Sequence, residues 1–157
     1  FKCGEKQINF VTHSMGGILV RQYLSQHIIK NLNRVVMLGP PNKGSEIVDK
    51  LGDIPGFRLI NGVAGMQLGT DYYSVPKKLG KANFNVGIIA GTKSINWILS
   101  TLIPGIDDGK VSVINTKLDG MKDHIEIETT HPFMMQNNEV IEQVVHYLRT
   151  GKFQHNK

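Results

Sequence analysis

The sequence predicts an α/β fold with a parallel sheet, and three observations carry that prediction. The run Ile8-Asn9-Phe10-Val11 ends at Thr12-His13-Ser14 and passes through Gly16 and Gly17 into a helical pattern, as a strand does when it turns sharply into a helix. Residues 34–39 and 84–92 read as short buried strands, each closed by a glycine-containing turn. Residues 123–131 alternate apolar and polar and stop at a histidine, and a terminal helix follows with Val140, Ile141, Val144, Val145 and Leu148 on one stripe.

Composition bounds the rest. The 157 residues, 40% of them hydrophobic, suffice for one compact domain with a core. Lys and Arg outnumber Asp and Glu by 18 to 13, but the basic residues are scattered apart from Lys77-Lys78 and the stretch around Lys152 and Lys157. Scatter of that kind describes a solvated surface, so no nucleic-acid partner is expected. Cys3 is the only cysteine, which excludes an internal disulfide, and no Cys/His cluster has zinc spacing, so no metal is expected. No apolar run approaches the length of a transmembrane segment. The compartment is left open, with the cytoplasm favoured.

The serine at the first turn has a chemical logic. A serine hydroxyl is a weak nucleophile at neutral pH, so it must project clear of the backbone toward a base, with an amide N–H beside it for a forming oxyanion. A tight strand-to-helix turn does both, and small residues such as Gly16 and Gly17 let strand and helix pass closely. The stretch Thr12-His13-Ser14-Met15-Gly16-Gly17 resembles the nucleophile elbow of the α/β-hydrolase family, Gly-x-Ser-x-Gly, in its lipase and esterase branch, where His-Ser-Met-Gly-Gly is a frequent form. Thr12 departs from the glycine at the first position, and its branched side chain predicts a tighter turn there.

The resemblance implies a partial α/β-hydrolase fold, a parallel sheet of strands five to eight with flanking helices. Residues 1–151 are then the C-terminal part of a single domain. The first four strands, and the loop that supplies a second oxyanion N–H, are expected upstream of Phe1. The first helix places Ile18, Leu19, Tyr23, Leu24 and Ile28 at helical spacing, with Arg21 among the polar residues between them. Gly39-Pro40-Pro41-Asn42-Lys43-Gly44-Ser45 is similar to the Gly-x-Pro-His-x-Gly-Ser of family lipases, with Asn42 where histidine is common. Read alone, it is a proline turn followed by a helix capped at Ser45, with Ile47, Val48 and Leu51 inward and Gly52 as the stop.

Residues 53–81 have poor periodicity and frequent glycine, as expected of a lid- or cap-like insertion. Phe57, Leu59, Ile60, Met66, Leu68, Tyr72 and Tyr73 either line an acyl pocket or pin this segment to the body. Phe133, Met134 and Met135 pose the same choice between an acyl wall and core beneath the last helix. Residues 152–157 read as a flexible tail.

Within Asp107-Asp108-Gly109-Lys110-Val111, the local reading is an Asx turn. In lipases and esterases the catalytic acid commonly precedes Gly-x-Val, so the resemblance points to Asp108, with Asp107 as the alternative. The order Ser14, Asp108, His131 is then that of the family, each residue following a different strand. By that resemblance Ser14 attacks an acyl carbonyl, His131 relays the proton, Asp108 orients the imidazole, and the Met15 backbone N–H serves the oxyanion hole. His13 is expected to pack, and His27, His124, His146 and His155 lie away from the site.

The implied activity is hydrolysis of carboxylic esters, small or lipid, through an acyl-enzyme and without a cofactor. An acyltransferase or thioesterase would use the same residues, and a non-catalytic binding protein is the alternative of another class. The nucleophile strand would carry an open edge, so self-association is expected there.

Overall fold

The computed structural model describes residues 6–51, 65, 67–94, 101 and 103–155. Its elements are β1 (Ile8–His13), α1 (Met15–Gln26), β2 (Leu32–Leu38), α2 (Glu46–Leu51), α3 (Val75–Lys78), β3 (Val86–Gly91), α4 (Val113–Thr116), β4 (Asp123–Ile127), a 3₁₀ helix (His131–Gln136) and α5 (Asn138–Thr150). The four strands form one sheet in the order β1-β2-β3-β4, and every pair is parallel. The register sets His13 beside Leu38, Leu38 beside Ile89, and Gly91 beside Ile127. The loops after all four strands therefore leave from one edge of the sheet, the edge where open α/β sheets gather their ligands.

Both faces of the central strands are covered, which is why β2 and β3 read as continuous apolar runs rather than alternating ones. Val35 and Met37 of β2 join Val86 and Ile88 of β3 on one face, with Leu118 and the partly buried Val20 of α1. Val36, Leu38 and Ile89 point the other way, into a cluster with Ile127, Met134, Val140, Tyr147 and Phe153. Gly87 lies under Tyr147, and a Cβ there would run into the ring. The missing side chain at Gly87 is the space that the Tyr147 ring fills.

Two helices are turned differently from the sequence expectation. In α1 the buried residues are Gly17, Ile18 and Arg21, while Leu19 and Tyr23 are 58% and 51% exposed and Ile28, beyond the helix, is 93% exposed. The cause is Gly17, whose Cα lies so close to Pro40 and Met37 that a Cβ would stand 3.1 Å and 3.2 Å from them. That approach rotates the face of residues 17, 18 and 21 onto β2 and the loop after it. In α5 the buried positions are Val140, Gln143 and Tyr147, and Ile141 and Val145 face solvent. Asn137 caps α5, its side chain accepting from Val140 N.

Residues 152–155 differ from the expected flexible tail, because they are held. Phe153 is buried against Tyr147 and donates its N–H to Asp123 Oδ2 at 2.8 Å. Gln154 exchanges two hydrogen bonds with Gln143, which also satisfies that buried amide. Of the segment 53–81, residues 53–64 and 66 lie outside the described residues, and with them Phe57, Leu59, Ile60 and Met66. Leu68 is buried, whereas Tyr72 and Tyr73 are exposed. Among the described residues no helix is long and apolar enough to cross a membrane.

Candidate active site

Ser14 stands between β1 and α1 with φ 55° and ψ −125°. Among the described residues it is the only non-glycine with positive φ, a backbone state that costs a side-chain-bearing residue roughly 1–3 kcal/mol. Its N–H is fixed on Leu38 O of the neighbouring strand at 2.8 Å, so β2 holds the bend. Thr12 lies beside Gly16, where a Cβ would meet Thr12 Cβ at 3.4 Å, an ordinary contact, so the branched side chain is accommodated at this turn. Met15 is the first residue of α1, and its N–H has no acceptor within the helix.

The loop after β3 and the segment after β4 meet this serine. Ser14 Oγ lies 2.9 Å from His131 Nε2, and His131 Nδ1 lies 2.7 Å from Asp108 Oδ2. Asp108 and His131 are 1% and 3% exposed. The other carboxylate oxygen, Asp108 Oδ1, accepts from Lys110 N at 3.0 Å and Val111 N at 2.9 Å. Both oxygens are thereby engaged, as a buried carboxylate requires. Because Oδ2 accepts from Nδ1–H, the neutral ring presents Nε2 as an acceptor to the Ser14 hydroxyl. A further bond, His131 N to Asp108 O at 2.8 Å, joins the two backbones.

Asp108 rather than Asp107 meets the histidine. Asp107 Oδ1 accepts from Gly109 N at 2.7 Å, the turn contact that an Asx reading predicts. The histidines divide in the same way. His13 lies against His131, ring centroids 4.7 Å apart, and donates from Nε2 to His131 O at 3.0 Å. Burial, then the neighbouring His131, holds its pKa below the ordinary value, so it packs as a neutral ring. His124 is bonded to Thr116, and burial pushes it down to about 4. His27 bonds its own helix, His146 lies on α5, and His155 pairs with Asp123. Met134 is buried in the core under α5, whereas Phe133 and Met135 beside His131 are exposed.

One residue of the site enters the sequence reading only as the first position of the Gly39–Ser45 stretch, with nothing there to link it to Asp108 or His131. Gly39, at the end of β2, has φ 52°, and a Cβ there would stand 2.9 Å from Asp108 Oδ2 and 3.1 Å from His131 Nδ1. It leaves room for Asp108 and His131 to touch. Asn42, at the position where histidine is common, is buried and donates to Thr116 O at 2.8 Å, and so ties its loop to α4. Among the described residues no group of three or more His, Cys, Asp or Glu is placed to hold a metal ion.

No protein-family model matches the sequence, and no curated protein matches it. Solved structures do. Bacillus licheniformis lipase BlEst2 in its mature form aligns with a TM-score of 0.71 at 19% identity, over 91% of this chain and 66% of that one. Its propeptide form gives 0.71 at 20% identity, over 96% and 37%. Phospholipase PlaB from Legionella pneumophila in complex with thio-NAD gives 0.55 at 22% identity, over 71% and 28%. At such identities the likeness is one of fold. The chain has part of an α/β-hydrolase fold, four parallel strands with flanking helices, and spans about two thirds of mature BlEst2 and less of the other two chains.

Proposed function

We propose that this chain carries the reacting groups of a serine hydrolase that cleaves carboxylic esters, small or lipid, as lipases and esterases do. The observation that carries the reading is the unbroken hydrogen-bond line from Ser14 Oγ through the His131 ring to Asp108. In the first half-reaction Ser14 Oγ attacks the acyl carbonyl carbon while its proton passes to His131 Nε2. Asp108 keeps the ring oriented and stabilises the imidazolium. The tetrahedral oxyanion is met by the Met15 N–H at the positive end of the α1 dipole. Collapse expels the alcohol, which takes the proton from Nε2, and leaves an acyl-serine. Water then enters by the same proton relay and releases the acid.

The line is tested by a fluorophosphonate, whose phosphorus an activated serine attacks far faster than an ordinary hydroxyl does. A single adduct on Ser14, absent from Ser14→Ala, is expected by peptide mass mapping. A protein that stays unlabelled would overturn the enzyme reading in favour of a binding role.

Gly39 provides a second check. In Gly39→Ala the added methyl must part Asp108 from His131, so turnover of a chromogenic ester should fall about a hundredfold, as misplacements near 1 Å do. Denaturant unfolding should show a loss of only roughly 1–2 kcal/mol from the left-handed backbone. Unchanged turnover would mean that the His131–Asp108 contact contributes nothing to the rate.

A further inference from the structure

A cavity of about 210 Å³ is lined by Arg21, Lys43, Lys77, Lys117 and Asp119, among others. None of Ser14, Asp108 and His131 lines it. Arg21 is 4% exposed. Its guanidinium donates to Asn42 O and Oδ1, both at 3.1 Å, to Pro76 O at 3.0 Å and to Gly80 O at 2.8 Å. All four acceptors are neutral, and among the described residues no carboxylate forms an ion pair with it. Burial pushes Arg21 down to about 10, which leaves it charged at neutral pH. Buried charges are ordinarily paired, and this one is solvated by carbonyls alone.

The surroundings add to the imbalance. Lys43, Lys77 and Lys117 have no ion-pair partner among the described residues, and neither has Asp119. Four cationic residues and one acidic residue thus line the cavity. A second cavity, of about 190 Å³, shares Arg21 and adds Lys81. The first holds several times the roughly 30 Å³ that a water molecule occupies in the liquid. Like charges gathered in one concavity raise the local positive potential and the local concentration of anions.

We propose that this cavity is a binding site for a phosphate group, either inorganic phosphate or the terminal phosphate of a monoester. A dianion fits the charge count, since a single carboxylate would leave most of the excess unopposed. Arg21 supplies field from the floor, because four of its N–H donors are already committed to carbonyls. The lysines, flexible point charges with three donors each, make the direct contacts to phosphate oxygens. Occupancy also bears on the fold. Asn42 and Lys43 belong to the loop that begins at Gly39, while Pro76 and Gly80 belong to the segment around α3, so a bound anion draws those loops together on α1.

The test does not depend on ester turnover. Purified protein is dialysed to equilibrium against radiolabelled inorganic phosphate at an ionic strength fixed with sodium chloride. In parallel it is floated with phosphatidylcholine vesicles with and without phosphatidic acid, which presents the same group on a lipid. The variant carries Lys43→Gln, Lys77→Gln and Lys117→Gln together, and the control carries Lys50→Gln, Lys122→Gln and Lys152→Gln. Arg21 is left in place because its hydrogen bonds also hold α1 to two loops. Saturable binding of one phosphate, weakened by roughly tenfold or more in the cavity variant alone, supports a site for the free ion. Flotation that requires phosphatidic acid and is lost in the same variant assigns the site to a lipid headgroup. No binding in either arm, or binding that the cavity variant retains, overturns the proposal. The melting temperature of each variant without phosphate shows that it is folded.

Discussion

Replacement of Ser14 or His131 by alanine is expected to lower ester turnover roughly 10⁶-fold, and replacement of Asp108 about 10⁴-fold, because residues that act as one unit each remove most of its effect. The double variant Ser14→Ala, His131→Ala should lose little more than either alone, for the same reason. Asp108→Asn sharpens the argument. Its carbonyl oxygen can still accept from Lys110 N and Val111 N, as Oδ1 does now, so the loop should keep its form. The amide nitrogen would then face His131 Nδ1 and force that atom to accept. The proton would move to Nε2, where it blocks the Ser14 hydroxyl, at a cost near 10⁴-fold. Turnover measured at saturating ester, with melting temperature as the control for folding, reads both effects. A loss under tenfold in both Asp108 variants, with a large loss in Asp107→Ala, would transfer the acid role to Asp107.

Tyr147→Ala should be the most damaging single change to stability. The ring is fully buried, fills the space above Gly87, stacks at a tilt on Phe153, and donates its hydroxyl to Asn85 Oδ1 at 2.7 Å. Burial is the main cause that pushes its phenol up to about 12, so the hydroxyl remains a donor across the working pH range. Truncation of a large buried ring costs about 3–5 kcal/mol, or roughly 6–20 °C for a chain of this size. Tyr147→Phe removes only the hydroxyl and should cost about 1 kcal/mol. Urea unfolding of the two variants separates packing from hydrogen bonding. Equal losses in both would mean that the Asn85 bond, rather than the ring, anchors α5.

The parts of this molecule that a sequence reader can see are those whose physics is local. Val35, Val36, Ile88 and Ile89 announce buried strands because both faces of a parallel sheet are covered. Ser14 is visible because the proposed nucleophile needs small neighbours on one side, and Gly16 and Gly17 supply them. Asp108 over Asp107 is less visible, since an Asx turn and an acid have the same sequence and differ only in which carboxylate meets His131. The helix rotations were not legible: Gly17 decides which face of α1 is buried, through contacts with Pro40 and Met37 more than nineteen positions away. Arg21 hid for the same reason, as its carbonyl partners come from residues 42, 76 and 80. Phe153 reads as tail until Tyr147 and Asp123 are seen to receive it.

The left-handed backbone at Ser14 gives selection two opposed demands at one position. A glycine would occupy that bend with less strain, so the chain holds its hydroxyl at a standing cost to the folded state. Relaxed selection for the proposed chemistry would therefore favour loss of the serine, and a homologue that has abandoned catalysis is expected to betray it first by glycine here.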